Sequence, residues 1–350
     1  MTVTLSFFLS ELVKNTALII TTLLTLAVVL VNGWTDAPNA IATVVSTRSI
    51  KPKSAIFLAA FFNFLGVLVM TMINSEVAQT VYNMVDFAGD SYIALVALCA
   101  SLFAIVLWAT AAWWFKIPTS ESHALIAGIS GAAIAVQGGI SGINFNEWVK
   151  VLYGLVLSIV LGFVMGWGIV KIVVVLFGGF SRLKVHNFFK NAQILSGTGM
   201  AFMHGAQDGQ KFMAVFMLGM FLAKGQSKVV SFQIPLWLIV LCSSTMAFGT
   251  SIGGYRIIKA VGMDMVKLER YQGFSADFAG VICLLIASVS GLPVSTTHTK
   301  TTAIMGVGAA KRISSVNWRI VTEMVSAWFL TFPGCGGIGF LMALLFMKIF

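Results

Sequence analysis

The sequence predicts an all-α polytopic membrane protein, built from two inverted-topology repeats with broken or re-entrant helices, in about 10–12 membrane segments. Three observations predict it. The 350 residues are 58% hydrophobic and only 10% charged, with a mean hydropathy of +0.95, whereas a soluble domain carries about 25% charged residues. Apolar runs near or above the roughly 20 residues a spanning helix needs recur at 16–32, 55–73, 91–115, 148–178, 192–222, 234–252, 276–292 and 320–347. Two motifs recur in the same order at nearly the same spacing, the mark of an internal duplication. Strand alternation is absent, so helices rather than a barrel must satisfy the backbone.

The first run follows Glu11 and Lys14 and continues without a small-residue cleavage site, so it reads as a first span rather than a removable leader. It ends in "NGWTDAPNAI" (32–41). Pro38 breaks the helix there, and a carboxylate at that depth, Asp36, must line a cavity rather than lipid. The connection at 74–90 holds Glu76, Asp86 and Asp90 but no Lys or Arg. Basic residues cluster elsewhere: Arg48, Lys51 and Lys53; Arg182, Lys184 and Lys190; Arg256, Lys259, Lys267 and Arg270; Lys311, Arg312 and Arg319. This is the positive-inside asymmetry, and it places those clusters in the cytoplasm, with Lys224 and Lys228 left on the outer side. The net charge of +10 therefore orients the chain and does not imply nucleic acid.

"GWTD" at 33–36 has an echo in "GAQD" at 205–208, within "MHGAQDGQK" (203–211). "IPTSESH" (117–123) and "LPVSTTH" (292–298) share a Pro-x-Ser-x-hydroxyl-His pattern, and each leads into a Gly- and Ala-rich segment. The chain passes Asp36 toward the basic side and Asp208 away from it, so the halves are antiparallel across the membrane. We divide the chain into an N-terminal repeat (1–180), a basic cytoplasmic loop (181–191) and an inverted C-terminal repeat (192–350). Inverted repeats with interrupted helices at matching positions are the architecture of secondary transporters.

Other features have plainer readings. The cysteines Cys99, Cys242, Cys283 and Cys335 lie apart in apolar segments and pack. "GCGGIG" (334–339) matches a dinucleotide fingerprint, but no strand precedes it; with "GFVMG" (162–166) it reads as close helix packing. Trp108, Trp113 and Trp114 read as an interfacial belt.

At its four motifs the chain resembles the inorganic phosphate transporter family (PiT), whose members carry two "GANDVANA"-like signatures and two "PVSTTH"-like segments. "PVSTTH" stands unaltered at 293–298; "GWTDAPNA" keeps Gly33, Asp36 and Asn39; "HGAQDGQK" keeps His204, Gly205, Ala206 and Asp208. The departures are Thr35 and Gln207 for Asn, and Lys211 where a second Asn would stand. The resemblance spans essentially the whole chain. It implies cation-coupled symport of phosphate, re-entrant half-helices at both Pro-Ser segments, a multi-pass location in the plasma membrane (the inner membrane of a bacterium) and a homodimer. Within the family the chain resembles the bacterial low-affinity branch, some members of which have a similar "DGQK" signature and are viewed as proton-driven carriers of a metal–phosphate complex.

The residue chemistry gives each side chain a role. A tetrahedral oxyanion needs donors and positive potential, which helix N-termini starting at Pro118 and Pro293 supply. Ser120, Ser122, Ser295, Thr296 and Thr297 add hydroxyls, and Gln207 and Lys211 complete the substrate set. Asp36 and Asp208, with Asn39, hold coupling cations, and Glu121 is a titratable group beside them. Lys211 reads as a tethered ammonium in a cation's place, which favours proton over sodium coupling. His123 and His298 brace the turns; His204 and His186 carry weaker signals. No catalytic residue, cofactor or resident metal is expected beyond a coupling ion, H+ or Na+.

A sulfate permease of the same fold is the nearest alternative, since both anions are tetrahedral. Two intramembrane aspartates also suit an aspartyl protease sharing one proton, but the "GxGD" context is missing. A passive anion channel would need no acidic cation ligands.

Overall fold

The computed structural model describes residues 3–87, 90–115, 119–226, 229, 231–252 and 258–350. Its helices are α1 (Leu5–Lys14), α2 (Thr16–Thr35), α3 (Pro38–Ser46), α4 (Pro52–Ile73), α5 (Glu76–Asn83), α6 (Ser91–Trp114) and α7 (Glu121–Gln137). Then come α8 (Phe145–Phe177), α9 (Arg182–Ala223), α10 (Leu236–Ile252), α11 (Arg270–Val289), α12 (Thr296–Lys311) and α13 (Trp318–Ile349). The apolar runs of the sequence coincide with α2, α4, α6, α8, α9, α10, α11 and α13 to within a few residues, except that α9 starts ten residues early. Among the described residues, α2–α3 together, α4, α6, α8, α11 and α13 are each long and apolar enough to cross a membrane alone.

Local chemistry sets the ends. Asn15 accepts from Leu18 N–H at 3.1 Å to start α2, and Asp90 accepts from Tyr92 N–H at 2.8 Å to start α6; both are side-chain N-caps. Pro occupies the first turn of α3 and of α4, where its missing N–H costs nothing. Gly138 and Gly291, with φ of 65° each, close α7 and α11 in the left-handed region, which only glycine enters freely. Glu269 and Gln272 form a reciprocal capping box at the head of α11.

Packing follows a pseudo-two-fold exchange. The re-entrant helix α7 of the first repeat lies against α13 of the second, and α12 lies against α8. Likewise α4 packs on α9, and α10 on α2. The motif glycines make the second exchange close: a Cβ on Gly33 would strike the Met246 carbonyl on α10, and one on Gly205 the Asn63 carbonyl on α4. The fold is thus the inverted duplication expected.

Several local expectations need correction. The 181–191 segment is the start of the 42-residue helix α9 rather than a loop. The Asp208 segment is unbroken, because it lacks the proline that ends α2 at Thr35. The second re-entrant helix begins at Thr296, not Pro293; Pro118, Lys228 and Arg256 lie outside the described residues. Trp108 packs on Gly334, and Trp113 meets Trp34 edge to face at 5.0 Å, so of the three only Trp114 is largely exposed. The glycine segments behave as packing faces: Gly162 and Gly166 meet Thr302 and Ala303 of α12, and Gly339 meets Gly128 of α7. All four cysteines are buried and free.

Candidate functional site

The break between α2 and α3 leaves Asp36 as the C-cap of α2, 2% exposed. Its Oδ1 accepts from Asn39 Nδ2 at 2.7 Å, one turn on, and from Thr297 Oγ1 at the head of α12. Asn39 Nδ2 also reaches Thr297 Oγ1 at 3.2 Å. Next to Asp36, Thr35 donates to Glu121 Oε1 on the first residue of α7. One side-chain group thus joins α2, α3, α7 and α12.

Asp208 faces this group from α9. Its Oδ1 accepts from Lys211 Nζ at 2.6 Å, and its Oδ2 from Asn32 Nδ2 and Thr296 Oγ1, both at 3.2 Å. His204 Nε2 lies 3.4 Å from the same oxygen. One ligand atom from each of Asp36, His204 and Asp208 falls within 4.8 Å of the others, so the two signature carboxylates converge on one centre.

Lys211 Nζ gives its three protons to Asp208 Oδ1 (2.6 Å), Ser122 Oγ (2.7 Å) and the Val294 carbonyl (2.6 Å). An ammonium has three donors and no acceptor, so this one is saturated by a carboxylate, a hydroxyl and a carbonyl. That is the oxygen set a bound alkali cation would take.

Two features decide what the centre can hold. Three carboxyl groups (Asp36, Asp208 and Glu121) face one lysine, all at most 2% exposed. Asp36 Oδ2, Glu121 Oε2, Asn32 Oδ1, Asn39 Oδ1 and Gln207 Oε1 are buried acceptors that lack a hydrogen-bond donor. Buried acceptors left unmatched are costly. The centre is short of positive charge and of donors; a proton would supply both, and a cation would satisfy the acceptors by coordination.

The hydroxyls assigned to the anion are brought together, each with a protein partner. Ser120 and Ser295 cap α7 and α12 by accepting from His123 N–H and His298 N–H, and they bond to each other at 2.8 Å. The two re-entrant helices therefore meet head to head, with their positive dipole ends converging. Ser122 accepts from Lys211, while Thr296 and Thr297 donate to the two aspartates. Gln207 turns aside to Ser288 Oγ (2.9 Å) and the Leu292 carbonyl (3.4 Å). An anion gains the threonine donors only when the carboxylates release them. His123 and His298 meet edge to face at 4.3 Å and pack on Phe332 and Trp328, as braces would.

The sequence reading missed Asn32 and undervalued His204. Both stand four residues before a signature aspartate, on the same helical face, and that spacing was the available signal. His186 stays on the basic face, in a surface cavity with Arg182 and Arg270.

Converging re-entrant helices and two buried aspartates in an inverted repeat define a membrane carrier rather than an enzyme. The model of the phosphate transporter family matches residues 32–180 and again 180–339. The chain belongs to that family. It is 36% identical over 303 residues to a "Probable low-affinity inorganic phosphate transporter" of Bacillus subtilis, covering 87% of this chain and 89% of the relative. A protein described in the same words from Rhizobium meliloti is 39% identical, over 86% of this chain and 88% of its own. A solved structure described as "The sodium-dependent phosphate transporter" superposes with a TM-score of 0.88 over 96% of this chain and 100% of its own, at 23% identity. That likeness establishes the fold.

If the carboxylates must let go of their threonines before an anion binds, Thr297→Val should weaken phosphate binding without abolishing transport. One hydrogen bond to a charged ligand is worth about 1.5–3 kcal/mol, so the apparent KM should rise by roughly ten- to hundredfold. An unchanged KM would leave the anion to backbone N–H groups alone.

Proposed function

We propose that this phosphate transporter imports inorganic phosphate by symport with a proton, by alternating access around the Asp36–Asp208 centre. The observation that carries this reading is the saturated ammonium of Lys211, bonded to Asp208, Ser122 and Val294. With Asp208 permanently matched, the positive charge still missing is beside Asp36 and Glu121. Two neighbouring buried carboxyl groups share a proton readily, since both cannot stay ionised. A proton arriving there frees Thr297 for the anion and removes a negative charge that would repel it, while the proton in turn is held better once the anion is in place. Neither binds well alone, and that interdependence is coupling. A metal–phosphate complex as the carried species also fits the acidic centre.

In this reading the exchanged helix pairs α7–α13 and α8–α12 move against the pairs α4–α9 and α2–α10, with the basic clusters on the cytoplasmic face of the plasma membrane. A homodimer belongs to the same reading. Sulfate is the competing substrate, because the donors are generic.

The test is uptake of radiolabelled phosphate into proteoliposomes under an imposed proton gradient, with sodium replaced by choline. Accumulation is expected, and excess sulfate should leave it unchanged. A strict sodium requirement would overturn proton coupling. Glu121→Gln should flatten the pH dependence of uptake; a profile identical to that of the unaltered protein would move the proton elsewhere.

A further inference from the structure

A second buried ion pair lies outside the central site. Lys300 on α12 and Asp277 on α11 are both fully buried and bonded to each other. Lys300 Nζ also donates to Thr43 Oγ1 at 3.0 Å and to the Ala40 carbonyl at 3.2 Å, and Thr43 donates to Asp277 Oδ1 at 2.6 Å. The ammonium is again saturated by a carboxylate, a hydroxyl and a carbonyl, as at Lys211.

Its position gives it meaning. Thr43 is one turn beyond Asn39 on α3, and Lys300 one turn beyond Thr297 on α12. Both helices run from the central site toward the basic face, which α12 reaches where Lys311 meets Glu269 at 3.7 Å. Further along, Gln193 Oε1 accepts from Thr47 at 2.8 Å and Ser49 at 2.7 Å. Beyond them opens a cavity of about 660 Å³ lined by Arg48, Lys51, Lys190, Lys259 and Arg270, with no carboxylate in its lining. A polar column thus joins the central site to a basic mouth.

Among the described residues the symmetry-related cluster forms no such column. The offset that aligns Ser120 with Ser295 aligns Leu125 with Lys300 and Leu102 with Asp277, and the signature offset aligns Val215 with Thr43. Those three residues are buried apolar core. The architecture therefore stands without the charges. A buried pair stabilises poorly, because desolvation offsets its attraction, and intramembrane ionisable residues mark ion pathways.

We propose that Lys300, with Thr43, is a second phosphate subsite on the release route, held shut by Asp277 until the anion arrives. Phosphate leaving the central site replaces Asp277 as the partner of Lys300, and the coupling cation passes to Asp277. Only the two together leave the column neutral, so neither leaks alone. The proposal rests on phosphate transport but not on which cation drives it.

The first test installs the apolar residues of the symmetry-related positions, as Thr43→Val/Asp277→Leu/Lys300→Leu. Equilibrium binding of radiolabelled inorganic phosphate to the purified protein should persist, while uptake into proteoliposomes falls at least about tenfold. Uptake at the unaltered rate overturns the proposal, and so does loss of binding together with uptake, which would make the pair part of the central site. The second test is Asp277→Asn, which leaves Lys300 with phosphate as its only anion. Apparent KM and kcat should fall together, because phosphate is held longer at the subsite. A kcat loss at unchanged KM would make the pair purely structural, and this measurement decides even where the triple variant fails to fold. Should the unaltered protein neither bind nor take up phosphate, the transport reading itself fails, a separate result.

Discussion

Asp208→Asn and Asp36→Asn should each reduce phosphate uptake to background, with the protein still folded and inserted. Asp36 and Asp208 are buried, approach a common centre, and hold between them Asn39, Thr297, Asn32, Thr296 and Lys211. An amide keeps the shape and most hydrogen bonds but cannot neutralise a cation or carry a proton. In Asp208→Asn the buried Lys211 ammonium also loses its counter-ion. Breaking one side of a buried pair costs about 3–5 kcal/mol of stability, so of the two variants this one should also be the less stable. Uptake by purified variants, normalised to monodisperse protein, checks this. Transport at the unaltered rate by either would remove it from the coupling centre.

Lys211→Asn should abolish uptake in choline and restore part of it in sodium. The substitution recreates in the second repeat the amide that Asn39 supplies in the first. Asp208 is then left without its ammonium at 1% exposure, again a penalty of about 3–5 kcal/mol. A mobile cation can relieve it by occupying the oxygen set of Asp208, Ser122 and the Val294 carbonyl that Lys211 saturates. The measurement is initial uptake rate against sodium concentration, for the unaltered protein and the variant side by side. Sodium-independent transport by Lys211→Asn would mean that Lys211 is not standing in for a cation.

Much of this was legible in the sequence. Hydropathy located the long helices, because a residue facing lipid must be apolar whatever its neighbours are. Asp36, Asp208, Asn39 and Lys211 stood out, because polar groups in apolar runs are too costly to be incidental. The duplicated Pro-Ser-His segments located the re-entrant helices for the same local reason, a proline followed by a capping serine.

Other conclusions needed the assembled chain. Ser120 and Ser295 read as anion donors, and only the assembled chain sets them face to face across the pseudo-two-fold, each also capping its helix. Asn32 and His204 looked incidental, yet they bond or approach Asp208 from 176 and 4 residues away. Lys300 and Asp277 drew no notice, since nothing within one helix shows that α3, α11 and α12 bring them onto Thr43. Span positions, the duplication and the orientation of its halves were determined by the sequence alone, because they depend on transfer free energy and loop charge summed residue by residue. Which donor meets which acceptor was decided only by the tertiary structure, since a hydrogen bond in a membrane interior depends on ångström-scale approach between helices distant in the chain.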